Sequence, residues 1–224
     1  MDIRAALLYA RISMGVYTYN FGNLKDFQFT AKFENKGTHT QGAFGIAYGD
    51  TFVVAFRGSE ETRIEDWITD LKFIQQVYPY DESNNKKVKV HFGFIWAYKS
   101  VREAVLRGAK DTAAQKIATT GHSLGAGLAT LAALDIQYNT GKEVACYTYG
   151  SPKVGNRAFA DSYNRRVPKT YRIVNRFDVV PLIPPIGYVH VGEFHHLGAN
   201  SLEDALANKV TDHLPVNYIN SLRA

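Results

Sequence analysis

Ser123 sits in Gly121-His122-Ser123-Leu124-Gly125, between a β-rich run, Lys116 to Thr120, and a run of small helix-forming residues, Ala126 to Leu134. A serine held on a tight strand-to-helix turn needs neighbours without side chains, because the turn is strained and brings the strand and the helix start together. Glycines two before and two after Ser123 meet that need. A helix opening directly after the serine aims its free N–H groups, with their partial positive charge, at any oxyanion formed beside the hydroxyl. That arrangement suits acyl transfer through a serine nucleophile. The five residues alone also describe an ordinary glycine-rich turn; the strand and helix that flank them favour the nucleophile.

A serine hydroxyl is a poor nucleophile at neutral pH, so it needs a histidine to take its proton and a carboxylate to fix that histidine's tautomer. On an α/β-hydrolase sheet these follow in the order serine, acid, histidine. Asp178 is the expected acid, because Tyr171-Arg172-Ile173-Val174 reads as a buried strand and Asn175-Arg176-Phe177-Asp178 as the loop beyond its carboxyl end. Asp135 and Asp161 fall inside helical stretches and are expected to face solvent. Of the seven histidines, His190, His195, His196 and His213 follow the acid. His213, in a loop entering the terminal helix, is the expected base, with His190 in reserve; His195-His196 lacks the cysteines or clustered carboxylates of a metal site. His122 is too near Ser123 to fold back on its hydroxyl. For the oxyanion, the backbone N–H of Leu124 is joined by Ser59, which follows the strand Thr51 to Phe56 through Arg57-Gly58.

The elements that must position these residues alternate. Strands are expected at Gly45 to Tyr48, Thr51 to Phe56, Lys116 to Thr120, Val144 to Tyr149 and Lys169 to Asn175. Helices are expected at Ile64 to Phe73, Ala97 to Arg107, Leu124 to Tyr138, Asn156 to Arg165 and Pro215 to Leu222, with Ala5, Leu8 and Ile12 on one face of an opening helix. The alternation implies an α/β fold with a mainly parallel central sheet flanked by helices. The Gly49-Asp50 turn makes its N-terminal edge antiparallel.

With 224 residues, 46% of them hydrophobic, the chain suffices for one sizeable core, and a single domain over residues 1–224 is expected. Its single cysteine, Cys146, lies in an apolar strand and reads as a buried, inert thiol. The net charge of +5 is scattered, without the aromatic-interleaved basic motif of a nucleic-acid binder, so no nucleic acid is expected. Lys87, Val88, Lys89 and Val90 alternate as a solvated edge strand. No secretory h-region and no transmembrane segment is evident, which predicts a cytoplasmic protein or one exported without a recognisable signal.

Taken in order, several blocks resemble the fungal-type class 3 lipases. They are Val54 to Ser59, Asp66-Trp67-Ile68-Thr69-Asp70-Leu71, Val90-His91-Phe92-Gly93-Phe94, Thr120 to Gly125, Tyr149 to Asn156, Asn175 to Pro181, Tyr188 to Gly192 and Asp212-His213-Leu214. The resemblance implies an α/β-hydrolase fold with Ser123 as nucleophile, Asp178 as orienting acid, His213 as base, and Ser59 and Leu124 as oxyanion donors. It also implies hydrolysis of carboxylic esters of lipids or related acyl esters, a transient lipid interface, and no metal or organic cofactor. Glycerolipid, phospholipid and small soluble or aromatic esters are not separated by the sequence, nor is hydrolysis from acyl transfer to an alcohol, and the oligomeric state is not indicated.

Three departures stand out. The lone cysteine and missing signal differ from the disulfide-stapled secreted members. The interval from Asp178 to His213 is short for the family, which implies a smaller acyl pocket. In the family, the segment after the oxyanion serine is a short mobile helix over the site. Here Ile64, Trp67, Ile68 and Leu71 form one apolar stripe behind a Thr62-x-x-Glu65 capping box, so the segment is a lid candidate, though its polar start fits a fixed helix nearly as well.

Overall fold

A computed structural model describes residues 1–59, 74–77, 86–198 and 211–224. The lid candidate Ile64, Trp67, Ile68 and Leu71, and the expected helix that carries it, lie outside the described residues. Helix α1 (Ile3–Gly15) opens on Asp2, whose carboxylate accepts from the Arg4 N–H at 2.9 Å and caps it. Its buried face includes Ala5, Leu8, Tyr9 and Ile12. An antiparallel meander follows: β1 (Phe27–Asn35), β2 (Thr40–Ala47) and β3 (Thr51–Phe56). Tyr48 and Gly49 take positive φ, 51° and 75°, at the turn between β2 and β3.

Next come β4 (Gln75–Val77) and β5 (Lys89–His91), paired antiparallel as a separate ribbon. Val88 and Val90 turn inward there while Lys87 and Lys89 stay exposed, the alternation expected of a half-buried strand. One helix was expected at Ala97 to Arg107; two form, α2 (Phe92–Lys99) and α3 (Arg102–Asp111). The break falls where the Ser100 hydroxyl bonds the Ala97 carbonyl at 2.7 Å and competes with the helical ladder.

From here the chain winds in crossovers. They comprise β6 (Lys116–His122), α4 (Leu124–Thr140), β7 (Glu143–Tyr149), α5 (Arg157–Arg166), β8 (Lys169–Asn175) and β9 (Glu193–Leu197), before the closing α6 (Pro215–Arg223). The main sheet has seven strands in the order β1-β2-β3-β6-β7-β8-β9, parallel from β3 onward. β1 and β9 are additions to the expected strands. β1 shows little burial because it forms one edge, and β9, rich in histidine, closes the other.

Both faces of the sheet are covered, so its central strands are continuous apolar runs. On β3, Phe52, Val54 and Phe56 join Phe94, Tyr98, Leu128 and Phe159 on one side, while Val53 and Ala55 join Tyr9, Ile12, Tyr149 and Tyr218 on the other. α4 is buried almost all round, from Gly125 to Ile136. Leu128 and Leu131, at 1% and 0% exposure, each contribute about 2 kcal/mol by burial. Gly141, at φ 66°, ends the helix in the left-handed conformation, its N–H bonded to the Gln137 carbonyl.

Asp135 corrects the expectation of a solvent-facing carboxylate. It is 2% exposed and accepts from Arg102 Nε and Tyr98 OH, each at 2.8 Å, and from Asn139. These bonds tie α4 to α2 and α3. Asp161, in contrast, is exposed on α5.

Candidate active site

At the carboxyl end of β6 the chain turns sharply. Ser123 takes φ 58°, ψ −127°, a rare backbone for a residue with a side chain, and α4 begins at the next residue. A Cβ on Gly121 would collide with the backbone of Gly125. One on Gly125 would strike the Phe56 carbonyl and lie 2.9 Å from the backbone of Arg57. The two glycines thus let the turn close on itself and against the end of β3. The Ser123 N–H is held by the Tyr149 carbonyl at 3.0 Å, and the Ser123 carbonyl accepts from Ala126 at 3.0 Å. Its Oγ is buried and has no hydrogen-bond partner among the described residues.

Asp178 follows β8 by three residues and is 4% exposed. Its Oδ1 accepts from the Val180 N–H at 2.9 Å; its Oδ2 accepts from His213 Nδ1 at 2.7 Å and Tyr218 OH at 2.5 Å. A carboxylate in this position accepts, so Nδ1 of His213 carries the proton and Nε2 presents a lone pair. That Nε2 is buried and has no hydrogen-bond partner among the described residues. Two complementary groups, a hydroxyl and an imidazole nitrogen, are therefore both without a hydrogen-bond partner among the described residues. Contacts between such groups often tighten only around substrate.

The main chain beside His213 is tied down separately. Asn175 Nδ2 donates to the Asp212 carbonyl at 3.0 Å, and the Phe177 N–H donates to the Asp212 carboxylate at 3.3 Å. Both ties come from the end of β8 and its loop, so Asp178 and His213, the expected acid and base, share one support.

Ser59 and Leu124, the expected oxyanion donors, are both half-buried. Leu124 is the first residue of α4, where an N–H has no intrahelical acceptor. Ser59 is two residues past Arg57, whose N–H is bonded to the Gln41 carbonyl at 3.0 Å. Between them Gly58 runs so close to the elbow that a Cβ would sit 2.6 Å from the His122 carbonyl.

His190, the reserve base, is engaged elsewhere: its Nε2 lies 2.7 Å from the Pro181 carbonyl, and burial, aided by Arg172 nearby, pushes its pKa down to about 3. His195 pairs with Glu193 at 3.0 Å and His196 with the Arg176 carbonyl at 2.9 Å, both on β9.

Sequence reasoning missed three residues here. Tyr218 was visible only as one position of the expected helix Pro215 to Leu222; burial and the Asp178 charge raise its hydroxyl pKa, so it remains a donor. Gly150, φ 59°, follows β7, and a Cβ there would stand 2.7 Å from both Asp178 Oδ2 and His213 Cε1. His122, passed over as a base, packs its ring 4.5 Å from the His213 ring. Tyr-Gly-Ser-Pro after a strand was the signal for Gly150; nothing local marked the other two.

A mainly parallel sheet, helices on both faces and a serine on a strained strand-to-helix turn define an α/β-hydrolase. Residues 53–188 match the model of the class 3 lipases, and the chain belongs to that family. It is 37% identical over 171 residues to a lipase of Rhizomucor miehei, covering 70% of this chain and 46% of that protein. Against secreted mono- and diacylglycerol lipase A of Penicillium cyclopium it is 34% identical over 161 residues, 69% and 50% of the respective lengths. The chain spans about half the length of the curated relatives it matches. A solved triacylglycerol lipase whose catalytic centre is described as a serine protease triad has a TM-score of 0.80 and 26% identity, covering 95% of this chain and 93% of that one. Among the described residues, no helix is long and apolar enough to cross a membrane.

Proposed function

We propose that this chain is a serine hydrolase that cleaves carboxylic esters of lipids through an acyl-enzyme on Ser123, working as one α/β-hydrolase domain over residues 1–224. The observation that carries the reading is the buried Asp178–His213 pair, whose Nε2, like the Ser123 hydroxyl on the elbow, has no hydrogen-bond partner among the described residues.

In the first half-reaction His213 Nε2 takes the Ser123 proton as Oγ attacks the ester carbonyl. The tetrahedral oxyanion is held by N–H groups of Leu124 and Ser59 at the start of α4 and the end of the β3 loop. The imidazolium, stabilised by Asp178, then gives its proton to the leaving alcohol. Water repeats the sequence on the acyl-enzyme and frees the acid. No step calls on a metal or organic cofactor.

A lipid substrate is supported by the family and by two side chains just past Asp178. Leu182 and Ile186 are 64% and 84% exposed, an apolar rim suited to transient contact with a lipid surface. Hydrolysis of p-nitrophenyl esters from short to long acyl chains, with and without dispersed lipid, tests the reading against Ser123→Ala. Serine-dependent turnover that peaks on long chains and rises at the interface supports it. A short-chain optimum without that rise indicates an esterase of soluble substrates, and no turnover at all overturns it in favour of a lipid-binding module.

A further inference from the structure

His122 is 1% exposed and lies between the segment that follows α1 and the turn that carries His213. Its Nε2 is 2.6 Å from the main-chain carbonyl oxygen of His213. A carbonyl only accepts, so Nε2 carries a proton. Burial first, then the adjacent His213, holds the His122 pKa well below its ordinary value, so the ring is neutral and Nδ1 is left with a lone pair. The Tyr17 hydroxyl, 3.0 Å from Nδ1, must therefore be the donor. The tautomer follows from both partners, and the chain of donation runs Tyr17 to His122 to the carbonyl of His213.

This chain has an unusual economy of placement. The residue bonded to the nucleophile in sequence also grips the backbone of the residue that must deprotonate it. Asn175 and Phe177 hold Asp212 from the acid's side, and the bonds from the Leu214 N–H and Asn217 Nδ2 to the Thr211 carbonyl are local to the turn. Among the described residues, the His122 bond is the one that refers His213 to the elbow. Tyr17 extends the same link to the oxyanion loop, since its hydroxyl occupies the space a Gly58 side chain would need.

We propose that His122, fixed in one neutral tautomer by Tyr17, is a positioning residue that sets the approach of His213 to Ser123. The proposal rests on the serine-hydrolase reading of the same site. The group does not touch substrate; it acts through the backbone of the base. A misplacement of the order of 1 Å between reacting groups lowers the rate about a hundredfold, which is the scale at which such a residue shows itself.

The test uses Tyr17→Phe, His122→Gln, His122→Leu and the pair Tyr17→Phe with His122→Leu, read by acylation rate, KM and thermal midpoint beside Ser123→Ala. His122→Leu is expected to slow acylation about a hundredfold with KM unchanged, and His122→Gln, which keeps an N–H for the carbonyl, to restore most of it. Tyr17→Phe frees the tautomer and is expected to slow acylation about tenfold, with no further loss when added to His122→Leu, because the two act as one unit. Should His122→Leu fail to fold, Tyr17→Phe decides. Unchanged acylation in Tyr17→Phe and His122→Leu, with Ser123→Ala inactive, overturns the positioning role alone. So do independent, multiplying effects of the two substitutions. Full turnover in Ser123→Ala overturns the serine-hydrolase reading and this proposal with it.

Discussion

Tyr218 and His213 donate to the same oxygen: Oδ2 of Asp178 accepts the phenol at 2.5 Å and the imidazole Nδ1 at 2.7 Å. Tyr218 reaches it from α6, beyond the turn that carries His213, so this helix clamps Asp178 and His213 together. Tyr218→Phe removes one of three donors to a buried carboxylate. The expected result is a loss of about 1–3 kcal/mol of stability by denaturant titration, together with a lower kcat.

Gly150 and Gly141 both hold positive φ, 59° and 66°, but only Gly150 faces the site. Alanine at either position carries a backbone cost of about 1–2 kcal/mol. Gly150→Ala also drives a methyl into Asp178 and His213, and its kcat should fall about a hundredfold or more. Gly141→Ala, with open space around it, should lose stability and keep its turnover. Parallel melting curves and initial rates separate the two effects.

The roles assigned to the site residues have distinct kinetic scales. Ser123→Ala should lower kcat by roughly a millionfold and Asp178→Asn by about ten-thousandfold, the latter by reversing the tautomer of His213. Ser59→Ala should cost about a hundredfold or less, because its backbone N–H remains. If His190→Ala inactivates the protein while His213→Ala does not, the base is misassigned.

His190 also predicts a pH dependence. Its ordinary pKa of 6.5 falls to about 3 on folding, so between those values the unfolded chain binds the extra proton. That contribution is present in full above pH 6.5 and declines as pH falls toward 3, below which it is flat. His190→Gln keeps a donor for the Pro181 carbonyl without titrating. Its thermal midpoint should therefore fall less steeply than that of the parent between pH 6.5 and 3.

What was legible in the sequence depended on how local its cause is. The elbow could be read because the need for Gly121 and Gly125 arises within five residues. Asp178 could be picked out because a buried strand followed by a loop places a carboxylate at the sheet's carboxyl edge, and the structure sets it 2.7 Å from His213. Tyr218 and His122 carry no such mark, since each matters through a neighbour brought close only by the completed sheet; Gly150 is marked by Tyr-Gly-Ser-Pro, but not for its closeness to Asp178 and His213. Asp135 was misjudged for a related reason. A carboxylate on a helix ordinarily faces water, but α4 is covered on nearly all sides, and the partners that make burial tolerable, Arg102 and Tyr98, come from distant sequence. β1 escaped notice because an edge strand buries too little to need a strict apolar pattern.

The docking of α6 orders events during synthesis. The elbow draws on β6, β7 and the start of α4, whereas His213 and Tyr218 lie further along the chain and emerge after all three. A nascent chain therefore carries Ser123 without the Asp178–His213–Tyr218 cluster until α6 seats. Under the proposed mechanism, turnover therefore requires α6 in its docked place, and onset of activity during refolding would report the seating of that helix.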